Sequence, residues 1–93
     1  MAQIDWTKKS LKDLRAINDY ISLDSNFYAA RFISKLIRRV EQLIEFPESG
    51  RMVPEKSTRE IRELIEGNYR IFYRMQKEKI TILRIHNAAR KIK

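Results

Sequence analysis

Ninety-three residues leave room for one domain, read here as 1–93, and a domain this small buries only about 60–65% of its unfolded surface, so a partner chain would help its stability. The absence of cysteine excludes disulfides and thiolate-ligated metal. No apolar run reaches the roughly 18 residues of a membrane helix or forms the core of a secretion signal, which leaves a cytoplasmic protein with no membrane partner as the expectation. Twenty Lys and Arg against twelve Asp and Glu give a formal net charge of +8, and eleven of the basic residues are Arg. Such an excess draws a protein toward nucleic acid, a ribosome or an acidic protein surface.

The chain opens with Ala2-Gln3-Ile4-Asp5-Trp6, a short alternating segment that reads as a strand. Thr7 offers a capping hydroxyl to a helix whose apolar stripe is Leu11, Leu14, Ile17 and Ile21. Asp24-Ser25-Asn26 breaks this helix and caps the next, which carries Ala29, Ile33, Leu36, Val40 and Leu43 on one side. Pro47 and Gly50 end it, and the two helices are expected to form an antiparallel hairpin. Tyr20, Phe27, Tyr28 and Phe32 near the break read as core and hairpin packing.

Arg51 to Ser57 is polar, contains Pro54 and reads as a loop. Beyond it the period changes from 3.6 to 2. Arg59 to Glu66 alternates imperfectly, Gly67-Asn68 is a turn signal, and Tyr69–Met75 and Ile80–His86 are the clearest strands. Asn87 to Lys93 reads as a basic tail. The order β-α-α-β-β-β predicts an α+β fold, with the helical hairpin packed on one face of a largely antiparallel four-stranded sheet.

The last two strands predict which side chains share a face. Tyr69, Ile71, Tyr73 and Met75 occupy odd positions of one, and Thr81, Leu83 and Ile85 odd positions of the other. Side chains alternate along a strand, so all the odd positions are expected against the helices. Arg70, Arg74, Arg84 and His86 then share the open face with Phe72 and Ile82. That register needs an odd loop such as Lys77-Glu78-Lys79, although no Gly or Asn is present to turn it. A two-residue loop would put Arg70 and His86 on opposite faces. The open-face arginines suit phosphate, with an aromatic among them to stack a base. Equally, they could pair with Glu60, Glu63 and Glu66 on the neighbouring strand.

Several segments, taken together, resemble one family. Arg59-Glu60-Ile61-Arg62-Glu63-Leu64 followed by Gly67-Asn68-Tyr69-Arg70-Ile71-Phe72-Tyr73-Arg74 is similar to the central signature of RelE/ParE superfamily toxins. Ile80 to His86 with Arg90 resembles that family's last strand and its closing His-x-x-x-Arg element. Trp6, Leu14, Ile17, Tyr20-Ile21 and Asp24 resemble its first helix, and Pro47-Glu48-Ser49-Gly50-Arg51 its Pro-x-x-Gly-Arg loop. The resemblance implies a growth-arresting, plasmid-stabilising type of toxin held inactive by a cognate antitoxin, with higher-order toxin–antitoxin assembly open to it. Its target would be DNA gyrase, as for ParE-like members, or messenger RNA in the ribosomal A site, as for RelE-like ones.

The two targets ask different things of the chain, and whether it is an enzyme stays open. Metal-free RNA cleavage needs proton donors and acceptors and cations at the phosphate. Arg70 would clamp the phosphate with Arg84 and Arg90, and His86, the single histidine, would move a proton. The strand before Tyr69-Arg70 lacks the lysines usual in RelE-like nucleases, and the tail has no aromatic residue. A ParE-like inhibitor needs only a docking surface, for which Arg59, Arg62, Arg70, Phe72, Arg74 and Arg84 are the candidates. No cofactor or metal is implied, because Gly-rich phosphate cradles and metal-ligand clusters are absent from the sequence. A basic nucleic-acid-binding module without toxicity is the rival from another class.

Overall fold

In the computed structural model, which describes residues 3–55 and 58–88, the chain runs β1 (Gln3–Trp6), α1 (Lys8–Ser22), α2 (Asn26–Glu41), β2 (Arg51–Met52), β3 (Ile61–Glu66), β4 (Tyr69–Gln76) and β5 (Lys79–Asn87). A 3-10 turn, Gln42–Ile44, extends α2. The caps fall where the sequence puts them. The Thr7 hydroxyl accepts from Ser10 N–H at 3.0 Å and that of Ser25 from Tyr28 N–H at 3.2 Å, each satisfying a helix donor that has no intrahelical partner. Among the described residues no helix is long and apolar enough to cross a membrane.

The sheet has five strands in the order β1-β5-β4-β3-β2, not the expected four. β1 lies parallel to β5 and the other neighbours are antiparallel. The extra strand is Arg51–Met52, inside the segment read as a loop. Two residues are too few to show a period, and they become a strand only because β3 supplies hydrogen-bond partners, Arg51 opposite Glu63 and Met52 opposite Arg62.

One sheet face packs on the helices. Leu64, Ile71, Tyr73, Ile80, Ile82 and Ile85 meet Ile17, Leu36, Val40 and Leu43 there in one cluster, all of them buried. Each is the apolar side of an amphipathic element, and each full burial stabilises the fold by about 1.5–3 kcal/mol before the entropy of ordering is set against it. The aromatic residues at the helix break behave differently from the expectation. Phe32 packs on the core, but Tyr20, Phe27 and Tyr28 are exposed, with Phe27 and Tyr28 edge to face and Arg31 over the Phe27 ring.

The hairpin register corrects the parity argument. The β4–β5 turn has two residues, Lys77-Glu78, and Glu78 takes the positive φ of 60° that the turn needs. Gln76 therefore pairs with Lys79, Met75 with Ile80 and Tyr73 with Ile82, so Ile80 and Ile82 face the helices where Thr81 and Leu83 were expected. Between Phe72 and Tyr73 the ladder slips by one: Phe72 pairs with Arg84 and Arg70 with His86, leaving Leu83 as the extra residue of a β-bulge. The bulge restores what the short turn would have undone. Ile85 returns to the core, and Arg70 and His86 share a face despite the two-residue turn.

A buried tyrosine ties the polar loop to this sheet. The Tyr73 hydroxyl donates to the Pro47 carbonyl at 2.8 Å and accepts from Gly50 N–H at 3.0 Å. Burial, outweighing the Gly50 hydrogen bond and nearby arginines, pushes its ionisation above the ordinary value. Gly50 is required by the close approach. A Cβ there would lie 2.5 Å from the Tyr73 hydroxyl and 2.7 Å from the Glu63 carbonyl oxygen.

Two stability changes follow, measurable by urea unfolding. Gly50→Ala forces this contact apart and should cost about 1–3 kcal/mol. Glu78→Asn places a residue tolerant of left-handed backbone in the turn and should gain up to about 1 kcal/mol.

Candidate docking groove on the open sheet face

Opposite the helices, β3, β4 and β5 carry a groove of about 610 Å³. It is lined by Arg70, Phe72 and Arg74 of β4, by Leu83, Arg84 and His86 of β5, and by Ile61, Val53 and Glu55 on the β2–β3 side. The structure thus brings together five of the predicted site residues: Arg70, Phe72, Arg74, Arg84 and His86. Arg62 has the opposite parity. It pairs with Tyr73, and its guanidinium donates to the carbonyls of Gly50 at 2.9 Å and Glu48 at 3.3 Å, where it braces the Pro47–Gly50 loop. Arg59 is exposed in the turn before β3, outside the groove, and Arg90 lies outside the described residues.

The groove is built around a buried carboxylate. Glu63 of β3 shares this face with Phe72 and is 1% exposed. Taking a carboxylate out of water costs several kcal/mol unless cations and donors compensate. Here two guanidiniums do so: Arg51 Nε bonds Oε1, while Arg70 reaches Oε2 through Nε at 2.8 Å and again through Nη2. Arg70 also touches Glu55 through Nη2 at 3.4 Å and lies 4.8 Å over the Phe72 ring centroid. Burial alone would lower its ionisation, but the bonds to Glu63 and the two carboxylate charges raise it above the usual arginine value. Phe72 in turn meets His86 edge to face, with centroids 5.5 Å apart.

Arg84 is held from the other side. β1 covers the outer edge of β5 only as far as Ile82, and Thr7 then takes over, its N–H donating to the Ile82 carbonyl and its hydroxyl to that of Leu83, both at 3.1 Å. Nearly two helical turns later Asp13 of α1 accepts from Ile85 N–H at 2.9 Å, from Arg84 Nε at 2.8 Å and from Arg84 Nη2 at 3.2 Å. A free sheet edge is thereby closed by side chains. Of the carboxylates expected to meet these arginines, Glu63 does. Glu66 instead pairs with Lys35 and Arg39 of α2.

Two features of the surface escaped the sequence reading. One is the exposed aromatic tip of the helical hairpin, where polarity at the break gave no sign that Phe27 and Tyr28 would stay outside. The other is a second groove of about 810 Å³ at the β4–β5 turn, lined by Glu45, Glu48, Glu60 and Glu78 around Phe46 and Met75. Its members come from three separate stretches of chain, so no local pattern announces it.

The helical hairpin on one face of a mixed sheet agrees with the α+β fold of the RelE/ParE superfamily toxins that the sequence resembles. The family model described as the ParE toxin of the type II toxin–antitoxin system parDE matches residues 4–92, and the chain belongs to that family. It is 40% identical over 91 residues to the protein named Toxin RelE2 of Caulobacter vibrioides, covering 97% of this chain and 99% of that one. Its fold is similar to a structure titled as a chromosomal ParDE TA system from P. aeruginosa, with a TM-score of 0.75 and 27% identity over 94% of this chain and 96% of that one.

Asp13 gives the site a pH dependence. Partial burial raises its pKa, but the Arg84 hydrogen bond, the Ile85 N–H and the neighbouring positive charge more than offset this and hold it below the ordinary carboxylate value. A depressed folded-state pKa contributes stability above the unfolded value of about 3.9, and that stability is lost as pH falls through the lower folded value. The parent protein should therefore lose part of its stability below about pH 4, and Asp13→Asn should be less stable at neutral pH with a flatter acid limb, as read from urea midpoints across pH 2–7.

Proposed function

We propose that this ParE-family toxin arrests growth as a ParE-like inhibitor, docking its open sheet face on DNA gyrase in the cytoplasm until a cognate antitoxin covers it. The observation that supports this reading is the internal neutralisation of the groove. Arg51 and Arg70 are committed to Glu63, Arg70 also to Glu55, and Arg84 to Asp13, so four guanidiniums counting Arg74 face three carboxylates. A phosphate clamp needs cationic donors aimed at the charge that develops during cleavage. Near-neutral, largely apolar lining suits a protein surface better. The chain's net charge of +8 favours an acidic antitoxin. The exposed Phe27 and Tyr28 beside Arg31, and Lys35 and Arg38 further along α2, offer it apolar contact with a basic rim.

A second reading keeps one observation of its own. Arg70 and His86 are direct cross-strand partners, a cation beside the chain's only imidazole, as a RelE-like ribosome-dependent endoribonuclease would require. Among the described residues that line the groove, the further proton-transfer candidate is Glu55, which is already on Arg70.

Purified protein tested in parallel for inhibition of gyrase supercoiling and for message cleavage by primer extension on translating ribosomes separates the two. Inhibition without cuts is expected, and codon-phased cuts that depend on ribosomes would overturn the proposal. Arg70→Ala is a poor probe on its own, because it strips a buried carboxylate of a partner. Arg74→Glu is better: Arg74 is exposed and makes no ion pair among the described residues, so folding should survive while the inhibitory concentration rises about tenfold.

A further inference from the structure

The two carboxylates on Arg70 differ in kind. The Glu63 side chain is 0% exposed and held by two guanidiniums. That of Glu55 is 61% exposed and makes one contact, at 3.4 Å, to the same Nη2. A solvent-exposed pair of that length is weak and easily exchanged, whereas a buried one is not. Glu55 therefore sits on the outward side of an anion position that water and other carboxylates can reach.

We propose that Glu55 is an internal stand-in for an acidic side chain of a protein partner, and that the groove docks a short segment carrying one Asp or Glu flanked by apolar residues. The inference rests on reading the open face as a protein-docking surface. Arg70 supplies the charge, and Arg74, exposed and without an ion-pair partner among the described residues, lines the same groove further along β4, beyond Phe72. Val53, Ile61, Phe72 and Leu83 supply the apolar lining for the flanking residues. Charge balance chooses the occupant. With Glu63 and Asp13 in place, displacing Glu55 leaves the four guanidiniums two charges in excess, one of them Arg74's, so the position vacated on Arg70 takes a single carboxylate. A nucleic-acid strand brings a phosphate with every nucleotide and needs a cation for most of them. Glu55 also keeps Arg70 neutralised while no partner is bound, so an anion must compete for its place.

His86, the chain's single histidine, lies in the groove against Phe72 and makes its imidazole proton resonances a local reporter. The probe is the peptide Ac-Leu-Phe-Glu-Leu-Val-NH2, titrated into the full chain alongside its Gln counterpart and hexauridylate. The Glu peptide should shift the His86 resonances and bind at least fivefold tighter than the Gln peptide. Glu55→Gln should raise its affinity two- to fivefold, and Arg74→Glu should lower it. The proposal fails if neither peptide shifts His86, if both bind alike, if Glu55→Gln leaves the affinity unchanged, or if hexauridylate shifts His86 where the Glu peptide does not. These outcomes are independent of the target assay. Gyrase inhibition with no peptide binding would sink the docking mode alone, and ribosome-dependent cuts would sink the inhibitor reading on which it rests.

Discussion

A single extra residue in the last strand reconciles the two faces of the sheet. The Lys77-Glu78 turn sets a ladder in which Met75 meets Ile80 and Tyr73 meets Ile82. Continued without interruption, that ladder would set Ile71 opposite Arg84, driving a guanidinium into the core and Ile85 out of it. The bulge at Leu83 shifts the pairing by one, and Ile71 meets Ile85 instead. Burying an unpaired arginine would cost far more than one disrupted ladder step. The apolar pattern thus forces the bulge, and the bulge in turn assembles the groove by setting Arg84 and His86 on the open side with Leu83.

The groove's electrostatics follow from the same strand order. β3 sits between β2 and β4, so a carboxylate at its centre can be reached by arginines from both neighbours, and Glu63 is reached by Arg51 and Arg70. Arg51 arrives only because the loop before it is fixed by the Tyr73 hydroxyl and by Arg62 on the Gly50 carbonyl. The Pro-x-x-Gly-Arg segment is thereby explained piece by piece: Pro47 offers a carbonyl, Gly50 makes room for a phenol, and Arg51 balances a buried charge.

Much of the fold was legible because its signals are local. Thr7 and Ser25 cap helices, apolar stripes at helical spacing mark what each buries, and Gly67, with φ of 58°, turns β3 into β4. The shared face was legible, since Arg70, Phe72, Arg74, Arg84 and His86 do line one groove. The reason given for it was incomplete. A parity count cannot see a bulge, so it asked for the odd loop Lys77-Glu78-Lys79, whereas the turn has two residues and Glu78, an uncommon occupant of left-handed backbone, supplies the positive φ. Arg62 and Arg59 were grouped with the others by residue type alone, whereas alternation sends Arg62 to the opposite side from Glu63. The carboxylate partners of Arg51, Arg70 and Arg84 lie 7 to 71 residues away in the chain, too far for spacing to reveal.

Among the described residues β5 is the last strand along the chain, yet it lies between β1 and β4. A chain that stops before Lys79 has its first strand and the β2–β4 group with nothing to join them. It lacks Ile80, Ile82 and Ile85 from the core and the entire Arg84–His86 side of the groove. The contacts that close the molecule, Thr7 to Leu83 and Asp13 to Arg84 and Ile85, span almost the full length of the chain, and such distant pairings form late. A chain cut before Lys79 therefore keeps both helices and four of the strands but loses the strand that joins them, and one wall of the groove with it.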